Sequence, residues 1–104
     1  VNELLGTKLR ALYQRKKGRD LFDLFYADQN LELDYDQIIH TYNEYMDFVV
    51  NKPPTRKQFL QNISLKEKDV DFLGDMEGLI KPEVEYDQES AFEWVRDELV
   101  VKLN

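Results

Sequence analysis

The chain has 104 residues, and its 21 Asp and Glu residues outnumber 14 Lys and Arg residues, which makes the formal net charge −7. Its 42% apolar and 12% aromatic content argue against disorder and indicate one folded domain with a modest core. The absence of cysteine excludes disulfides and thiolate zinc sites, no apolar run approaches membrane-spanning length, and the composition leads us to expect a cytoplasmic protein.

Residues 3–17 are predicted to form an amphipathic helix. At about 100° per residue, most of its apolar side chains fall on one broad arc, formed by Leu4, Leu5, Leu9, Ala11, Leu12 and Tyr13. Lys8 and Arg15 lie inside that arc, where a charge is costly unless it pairs, reaches water or meets a ligand. Six of the 14 basic residues lie between Lys8 and Arg19. Such a local basic segment is typical either of a solvated helix face or of a site for an anion.

A second helix is predicted after the break at Gly18. It contains Asp20 and Asp23, which are three residues apart and therefore share one face. A tight glycine turn between the two helices would bring Lys8 or Arg15 within reach of these carboxylates. We therefore expect at least one ion pair in this cluster, and a purely structural ion pair is one interpretation of it.

Helix-start signals recur along the rest of the chain. Asp34 is predicted to cap a third helix, with Gln37 at its third position and Leu33 stapled to Ile38, and Pro53-Pro54 would end that helix. Two capping boxes, Thr55 with Gln58 and Ser64 with Glu67, predict two more helices, the second ending near Leu79-Ile80 because of Gly78 and Pro82. Asp87 is predicted to open the last helix. With no convincing strand pattern, the fold class is predicted to be an all-α, compact bundle of five or six helices in a single domain, residues 1–104.

Other chemically attractive residues favour structural roles. His40 is the only histidine, has no second histidine or cysteine near it and is predicted to lie at the surface rather than to bind a metal. Tyr35, Tyr42 and Tyr45 could stack bases, but the acidic residues around them favour packing. The two Asp-x-Asp matches, at 34–36 and 69–71, are predicted to lie at a helix start and in the middle of a helix, respectively. Neither is predicted to hold a metal.

Two groups of residues resemble a known family. Lys8-Leu-Arg-Ala-Leu12 with Arg15, followed by Arg19-Asp20-Leu-Phe-Asp23-Leu24, is similar to the K-x-x-A…R…R-D-x-x-D-L stretch of the AbiEii/AbiGii toxin family. Segments 72–76 and 91–95 are similar to the C-terminal helical part of that family. Its members are nucleotidyltransferase-like proteins of bacterial toxin–antitoxin and abortive-infection systems. The resemblance extends over nearly the whole chain.

The resemblance implies a role for each matching residue. Lys8 would contact the phosphates of a nucleoside triphosphate, and Asp20 would be a catalytic-site carboxylate that orients Lys8 or assists the acceptor hydroxyl. Arg15, Arg19 and Asp23 would form the supporting network. Mg²⁺, a cognate antitoxin and an RNA acceptor are the further cofactor and partners that the resemblance suggests, with no membrane involved.

The sequence departs from the family pattern in one respect. Members carry, upstream of the matching stretch, a Gly-Ser turn and a strand whose Asp-x-Asp pair holds the catalytic Mg²⁺, whereas this sequence contains no Gly-Ser dipeptide. We therefore expect the chain to be the C-terminal helical lobe of a larger nucleotidyltransferase, without metal ligands and without catalysis on its own. An apolar patch around Leu5 and Phe22 would then be exposed beside the basic cluster.

A second interpretation comes from a different class of protein. The chain could be a non-catalytic helical interaction module, in which the cluster of Lys8, Arg15, Asp20 and Asp23 only ties two helices together. A Gly-Ser turn followed by an Asp-x-Asp strand upstream in the same polypeptide would discriminate in favour of the enzyme.

Overall fold

A computed structural model describes residues 1–49, 53–76 and 84–103 of the chain. Within these ranges there are six α-helices and no strand, which confirms the prediction of an all-α bundle. The helices are α1 (Asn2–Gln14), α2 (Gly18–Asn30), α3 (Tyr35–Val49), α4 (Arg56–Lys66), α5 (Val70–Gly74) and α6 (Gln88–Trp94). A wide π-helical turn at Val95–Leu99 and a 3₁₀ turn at Val100–Lys102 continue α6.

One hydrophobic core joins all six helices. Each amphipathic helix contributes the apolar residues that repeat every three to four positions, because that spacing keeps them on one face. The fully buried residues include Leu9 and Leu12 of α1, Leu21 and Leu24 of α2, Ile38 and Met46 of α3, Phe59 and Ile63 of α4, Phe72 of α5, and Val95 and Leu99 after α6. Leu4 is the exception in the predicted apolar arc of α1, since it is largely exposed.

Helices α1 and α3 run side by side in the same direction. Asn2 lies against Gln37, Gly6 against Thr41, and Arg10 against Tyr45. The closest approach is at Gly6, where a Cβ atom would lie 2.7 Å from the Thr41 Cβ. Gly6 therefore allows a helix contact that any larger residue would push apart.

The capping predictions were partly right. Thr55 and Gln58 form the predicted reciprocal capping box of α4, and Asp87 caps α6. Asp34 accepts a hydrogen bond from the Gln37 N–H as predicted. The Asp34 N–H, however, donates to the Asn2 side chain instead of to Gln37, because α1 lies close enough to supply that acceptor.

The predicted helix start at Ser64 was wrong. Ser64 lies inside α4, which continues without a break to Lys66. The next helix is instead capped by Asp69, whose carboxylate accepts hydrogen bonds from the N–H groups of Asp71 and Phe72. Asp69 therefore lies at a helix start rather than in the middle of a helix. The predicted helix end at Leu79-Ile80, with Gly78 and Pro82, lies outside the described residues.

Among the described residues, the predicted apolar patch around Leu5 and Phe22 does not form. Leu5 is buried in the core, and Phe22 stacks on Tyr26 and meets the edge of Tyr86. Large exposed apolar side chains occur elsewhere, most clearly at Phe48, which is 91% exposed. None of the described helices combines the length and the apolar character that crossing a bilayer requires.

Candidate functional site

The basic segment lies where α1 ends and α2 begins. Helix α1 ends at Gln14, three residues earlier than predicted, and Arg15 adopts an extended conformation. Residues 15–17 then link α1 to α2, which starts at Gly18. Gly18 packs so tightly that a Cβ atom there would lie 2.5 Å from the Phe72 carbonyl oxygen of α5. The early end of α1 places Arg15 in a linker rather than on the apolar face of a helix.

Arg15 and Asp20 form a bidentate ion pair. The Arg15 Nε donates to one carboxylate oxygen of Asp20 at 2.8 Å, and Nη2 donates to the other at 2.9 Å. These hydrogen bonds raise the pKa of Arg15 further above its usual range. The Asp20 side chain is fully buried, whereas that of Arg15 is 52% exposed. Arg15 therefore neutralises a buried carboxylate and still presents part of its guanidinium to solvent.

Lys8 completes the cluster from α1. Its ammonium lies 2.9 Å from an oxygen of Asp23 and 3.8 Å from an oxygen of Asp20. Both Lys8 and Asp23 are about one-third exposed or less, which places them at the rim of the cluster. The structure thus confirms the prediction that at least one ion pair joins Lys8 or Arg15 to Asp20 or Asp23. We call these four residues, Lys8, Arg15, Asp20 and Asp23, the ion-pair cluster.

Arg19 is not part of the ion-pair cluster. Its backbone N–H donates to Asp75 at 3.1 Å, and its side chain is exposed to solvent. Lys16 and Lys17 are exposed as well, and Lys16 lies 3.6 Å from Asp69. The outer surface of the linker is therefore cationic, with the Asp20 carboxylate behind it.

Sequence reasoning missed two residues of α4 behind the cluster. The buried Lys66 ammonium donates to the carbonyls of Leu12 and Tyr13 at the end of α1 and to the Asn62 side chain, and Asn62 also donates to Tyr13. Helix ends leave carbonyls without helical partners, so these side chains cap α1. Burial lowers the pKa of Lys66 to about 8, and the charge of Asp20 opposes part of that shift.

A signal for Lys66 is present in the sequence. Phe59, Ile63 and Lys66 recur at the spacing of one helix face, so Lys66 is a charge on an apolar stripe, as Lys8 is. The sequence pattern predicted a charge on an apolar face for Lys8 and Arg15 but not for Lys66, because the predicted start of a helix at Ser64 placed Lys66 in a first turn. The buried position of Lys66 was therefore not predicted.

The described residues do not fit a Mg²⁺ site. Both oxygens of Asp20 are engaged by Arg15, and Asp23 is engaged by Lys8. In the described ranges, no group of three or more histidine, cysteine or carboxylate side chains could hold a metal ion. Asp34 and Asp69 of the two Asp-x-Asp segments are occupied as helix caps. His40 is exposed and lies 2.8 Å from Glu44.

The comparisons with known proteins identify the family. The sequence model of the nucleotidyl transferase AbiEii toxin family, which belongs to type IV toxin–antitoxin systems, matches residues 1–98. The chain belongs to the AbiEii family. No curated protein and no solved structure matches the chain at a significant level. The AbiEii match includes the whole ion-pair cluster and the six helices of the described residues, and it agrees with the resemblance carried by Lys8, Arg15, Arg19, Asp20 and Asp23.

Proposed function

We propose that the ion-pair cluster is the part of an AbiEii nucleotidyltransferase that contacts the phosphates of a nucleoside triphosphate. Lys8 is the phosphate-contacting residue in this proposal, and Asp20 is a site carboxylate. Arg15 and Asp23 support them within the cluster, and Arg19 supports them as an exposed cation beside it. The observation that carries the proposal is the bidentate pair between the buried Asp20 and the half-exposed Arg15, with the Lys8 ammonium 3.8 Å from the same carboxylate.

The electrostatics of the cluster support an anionic ligand. Its two cations reach the surface, whereas Asp20 is fully buried behind them. A ligand approaching from solvent therefore meets Lys8 and Arg15 before it meets Asp20. Donors whose positions are fixed before the reaction stabilise charge that develops on a phosphate without further reorganisation. The exposed Lys16, Lys17 and Arg19 extend this cationic surface along the linker.

Of the two roles considered for Asp20, orienting the cations has the better support. Both of its oxygens accept hydrogen bonds from Arg15, and its side chain has no exposed surface. A carboxylate in this state holds Arg15 and attracts Lys8, but it offers no free oxygen to an acceptor hydroxyl. Asp20 is therefore a positioning residue in the proposed site.

The remaining chemistry is proposed to come from elsewhere in the polypeptide. In nucleotidyl transfer, a carboxylate-held Mg²⁺ neutralises phosphate charge and aligns the reacting oxygens. Because the described residues do not fit such a metal, we propose that an Asp-x-Asp pair outside residues 1–104 holds it. The chain then acts as the C-terminal helical lobe and has no activity alone.

Partners follow from the family. Membership in a toxin family of type IV toxin–antitoxin systems supports a cognate antitoxin, and an RNA is a candidate acceptor for the transferred nucleotide. A role in abortive infection belongs to the same proposal. Because the reaction consumes nucleoside triphosphates, we expect it to take place in the cytoplasm.

A second function, a non-catalytic interaction module, is favoured by the internal pairing of the cluster. Lys8 is already bonded to Asp23 at 2.9 Å, and Arg15 already satisfies both oxygens of Asp20. Such pairs can fix two helices without binding any ligand. The two functions make different predictions for Lys8, whose ammonium is partly exposed at the rim.

The deciding experiment is transfer of labelled nucleotide by a full-length protein that contains this chain. Lys8→Ala should lower the rate by about 10²–10³, since a preorganised charge at the reacting phosphate is lost. Lys102→Ala, which removes an exposed lysine from the last helical turn, is the matched control and should leave the rate unchanged. Wild-type transfer by folded Lys8→Ala protein would refute the catalytic role and leave the cluster as a tie between helices.

A further inference from the structure

A groove runs along the surface between α1 and α3, on the side of α1 that faces away from the ion-pair cluster. It has a volume of about 730 Å³ and is lined by Glu3 of α1 and by His40, Thr41, Glu44, Tyr45 and Phe48 of α3. One of its lining residues, Thr41, is also the residue that Gly6 of α1 contacts at the closest approach of the two helices. We call it the α1–α3 groove.

Phe48 is an unusual residue for a surface that faces only water. Its side chain is 91% exposed, and the neighbouring Tyr45 is 41% exposed. Aromatic side chains are enriched at the centres of protein interfaces because they bury a large area with little loss of conformational freedom. An exposed phenylalanine at one end of a groove is therefore suited to be an anchor for a partner.

The residues around the groove are mostly acidic, which favours a positively charged partner. From Asp20 to Asn51 the chain has eight Asp and Glu residues and no Lys or Arg. Glu3 and Glu44 line the groove itself, and Asp36 and Asp47 are exposed on α3. Arg10 lies near one wall, with its guanidinium 5.6 Å from the centre of the Tyr45 ring. The groove therefore attracts cations and repels anions.

We propose that the α1–α3 groove binds a lysine- or arginine-rich amphipathic helix of a protein partner. The groove follows α3 from Gln37 to Phe48, which is three helical turns or about 16 Å, so a helix of similar length can lie along it. The apolar face of the partner would cover Phe48 and Tyr45, and its basic flanks would meet Glu3 and Glu44. This is the helix-in-groove mode of recognition.

The surface is separate from the proposed phosphate site. Lys8 points from α1 towards Asp20 and Asp23 of α2, whereas Glu3 and Gly6 border α3. A helix bound in the groove would leave the ion-pair cluster accessible. Binding to the groove and binding of phosphate can therefore be measured independently, and the failure of one proposal leaves the other standing.

The experiment titrates the 104-residue chain with a labelled synthetic leucine–lysine amphipathic peptide of about 18 residues, long enough to be helical. Fluorescence anisotropy should show binding that weakens as salt is raised. The same peptide with glutamate in place of lysine should not bind. No binding of the lysine peptide, or equal binding of both peptides, would overturn the proposal.

Variants of the chain test whether the lysine peptide binds at the α1–α3 groove. Phe48→Ala and Glu44→Lys should each weaken the complex by about tenfold or more, since each removes a central contact or reverses a lining charge. Leu65→Ala and Asp97→Lys change comparable exposed residues elsewhere and should bind as the wild type does. Equal effects of Glu44→Lys and Asp97→Lys would mean that peptide affinity depends only on the net charge of the chain. That result would overturn the proposal that the peptide binds in the α1–α3 groove.

Sedimentation measurements test whether a second copy of the chain, rather than a basic helix, occupies the α1–α3 groove. The proposal expects the wild-type chain without peptide to remain a monomer. Self-association that is abolished by Phe48→Ala would show that another copy fills the groove, and the proposed partner would then be wrong. Thermal unfolding of the Phe48→Ala chain should match the wild type, because the residue contributes little to the core.

Discussion

Lys66 and Leu12 join the last turn of α4 to the end of α1. The buried Lys66 ammonium donates to the Leu12 carbonyl, although the two residues are 54 positions apart in the sequence. The contact satisfies a helix-end carbonyl at the cost of removing a charge from water, and it lies directly behind the ion-pair cluster. Because the ammonium is buried, we expect the protonation of Lys66 to make the stability of the fold depend on pH.

We expect the free energy of unfolding to increase as pH rises from about 8 to 10. The folded pKa of Lys66 is lowered by burial to about 8, whereas the unfolded pKa is 10.5. Between these values the unfolded chain binds the extra proton, so raising the pH favours the folded chain by up to about 1.4 kcal/mol per unit. Urea unfolding at several pH values measures the slope. The Lys66→Met chain should lack this rise, and an unchanged slope would contradict the assignment.

Above about pH 10 the trend should reverse. Burial raises the pKa values of Tyr42 and Tyr86 in the folded chain. Their unfolded counterparts lose protons first, so stability that is fully present below pH 10 is lost as pH rises further. Tyr42→Phe should reduce the loss. Spectroscopic titration of tyrosinate absorbance provides a second measurement, and normal titration of all six tyrosines in the folded chain would be the contrary result.

The two aspartates of the ion-pair cluster should differ in their contribution to stability. Asp20→Ala removes a buried carboxylate and two hydrogen bonds to a charged group, and we expect it to lower the free energy of unfolding by about 2–4 kcal/mol. Asp23→Ala removes a partly exposed pair and should cost less than about 1 kcal/mol. A double-mutant cycle of Arg15→Ala with Asp20→Ala isolates the pair energy, and zero coupling would contradict the bidentate geometry.

Three glycines allow a matched test of packing. At Gly18 an added Cβ would lie 2.5 Å from a backbone oxygen of Phe72, which cannot move cheaply, so Gly18→Ala should cost about 1–3 kcal/mol. Gly6→Ala meets the Thr41 side chain and should cost a similar amount, partly recovered by Thr41→Ser. Gly74→Ala meets no atom within 4 Å and should be neutral or stabilising by up to about 1 kcal/mol. Equal stabilities of the three variants in denaturant would rule out these close contacts.

The two capping boxes predicted from the sequence should also differ. Thr55→Ala should cost about 1 kcal/mol, because the reciprocal bonds with Gln58 at the start of α4 are lost. Ser64 lies inside the same helix, so Ser64→Ala should change stability by less than about 0.5 kcal/mol. Chemical denaturation of both variants compares them directly. A larger loss for Ser64→Ala would mean that a helix begins there after all.

The difference between Thr55 and Ser64 shows why some local signals succeeded. Both residues match the same short pattern, but only Thr55 follows the Pro53-Pro54 break that interrupts the preceding helix. At Ser64 the apolar stripe through Phe59 and Ile63 continues, so the helix continues with it. A capping pattern determines a helix start only where the chain has already left the previous helix.

The amino-acid sequence by itself determined the all-α class, the apolar faces of the helices and the pairing of Lys8 or Arg15 with Asp20 or Asp23. These follow from helical periodicity and from the cost of an unpaired charge on an apolar face, which act over a few residues. The tertiary structure alone decided that Asp20 is buried while Arg15 reaches water, that Arg19 lies outside the cluster, and that Lys66 caps α1. Those outcomes depend on contacts between residues far apart in the chain, and burial and partner geometry exist only after the helices pack together.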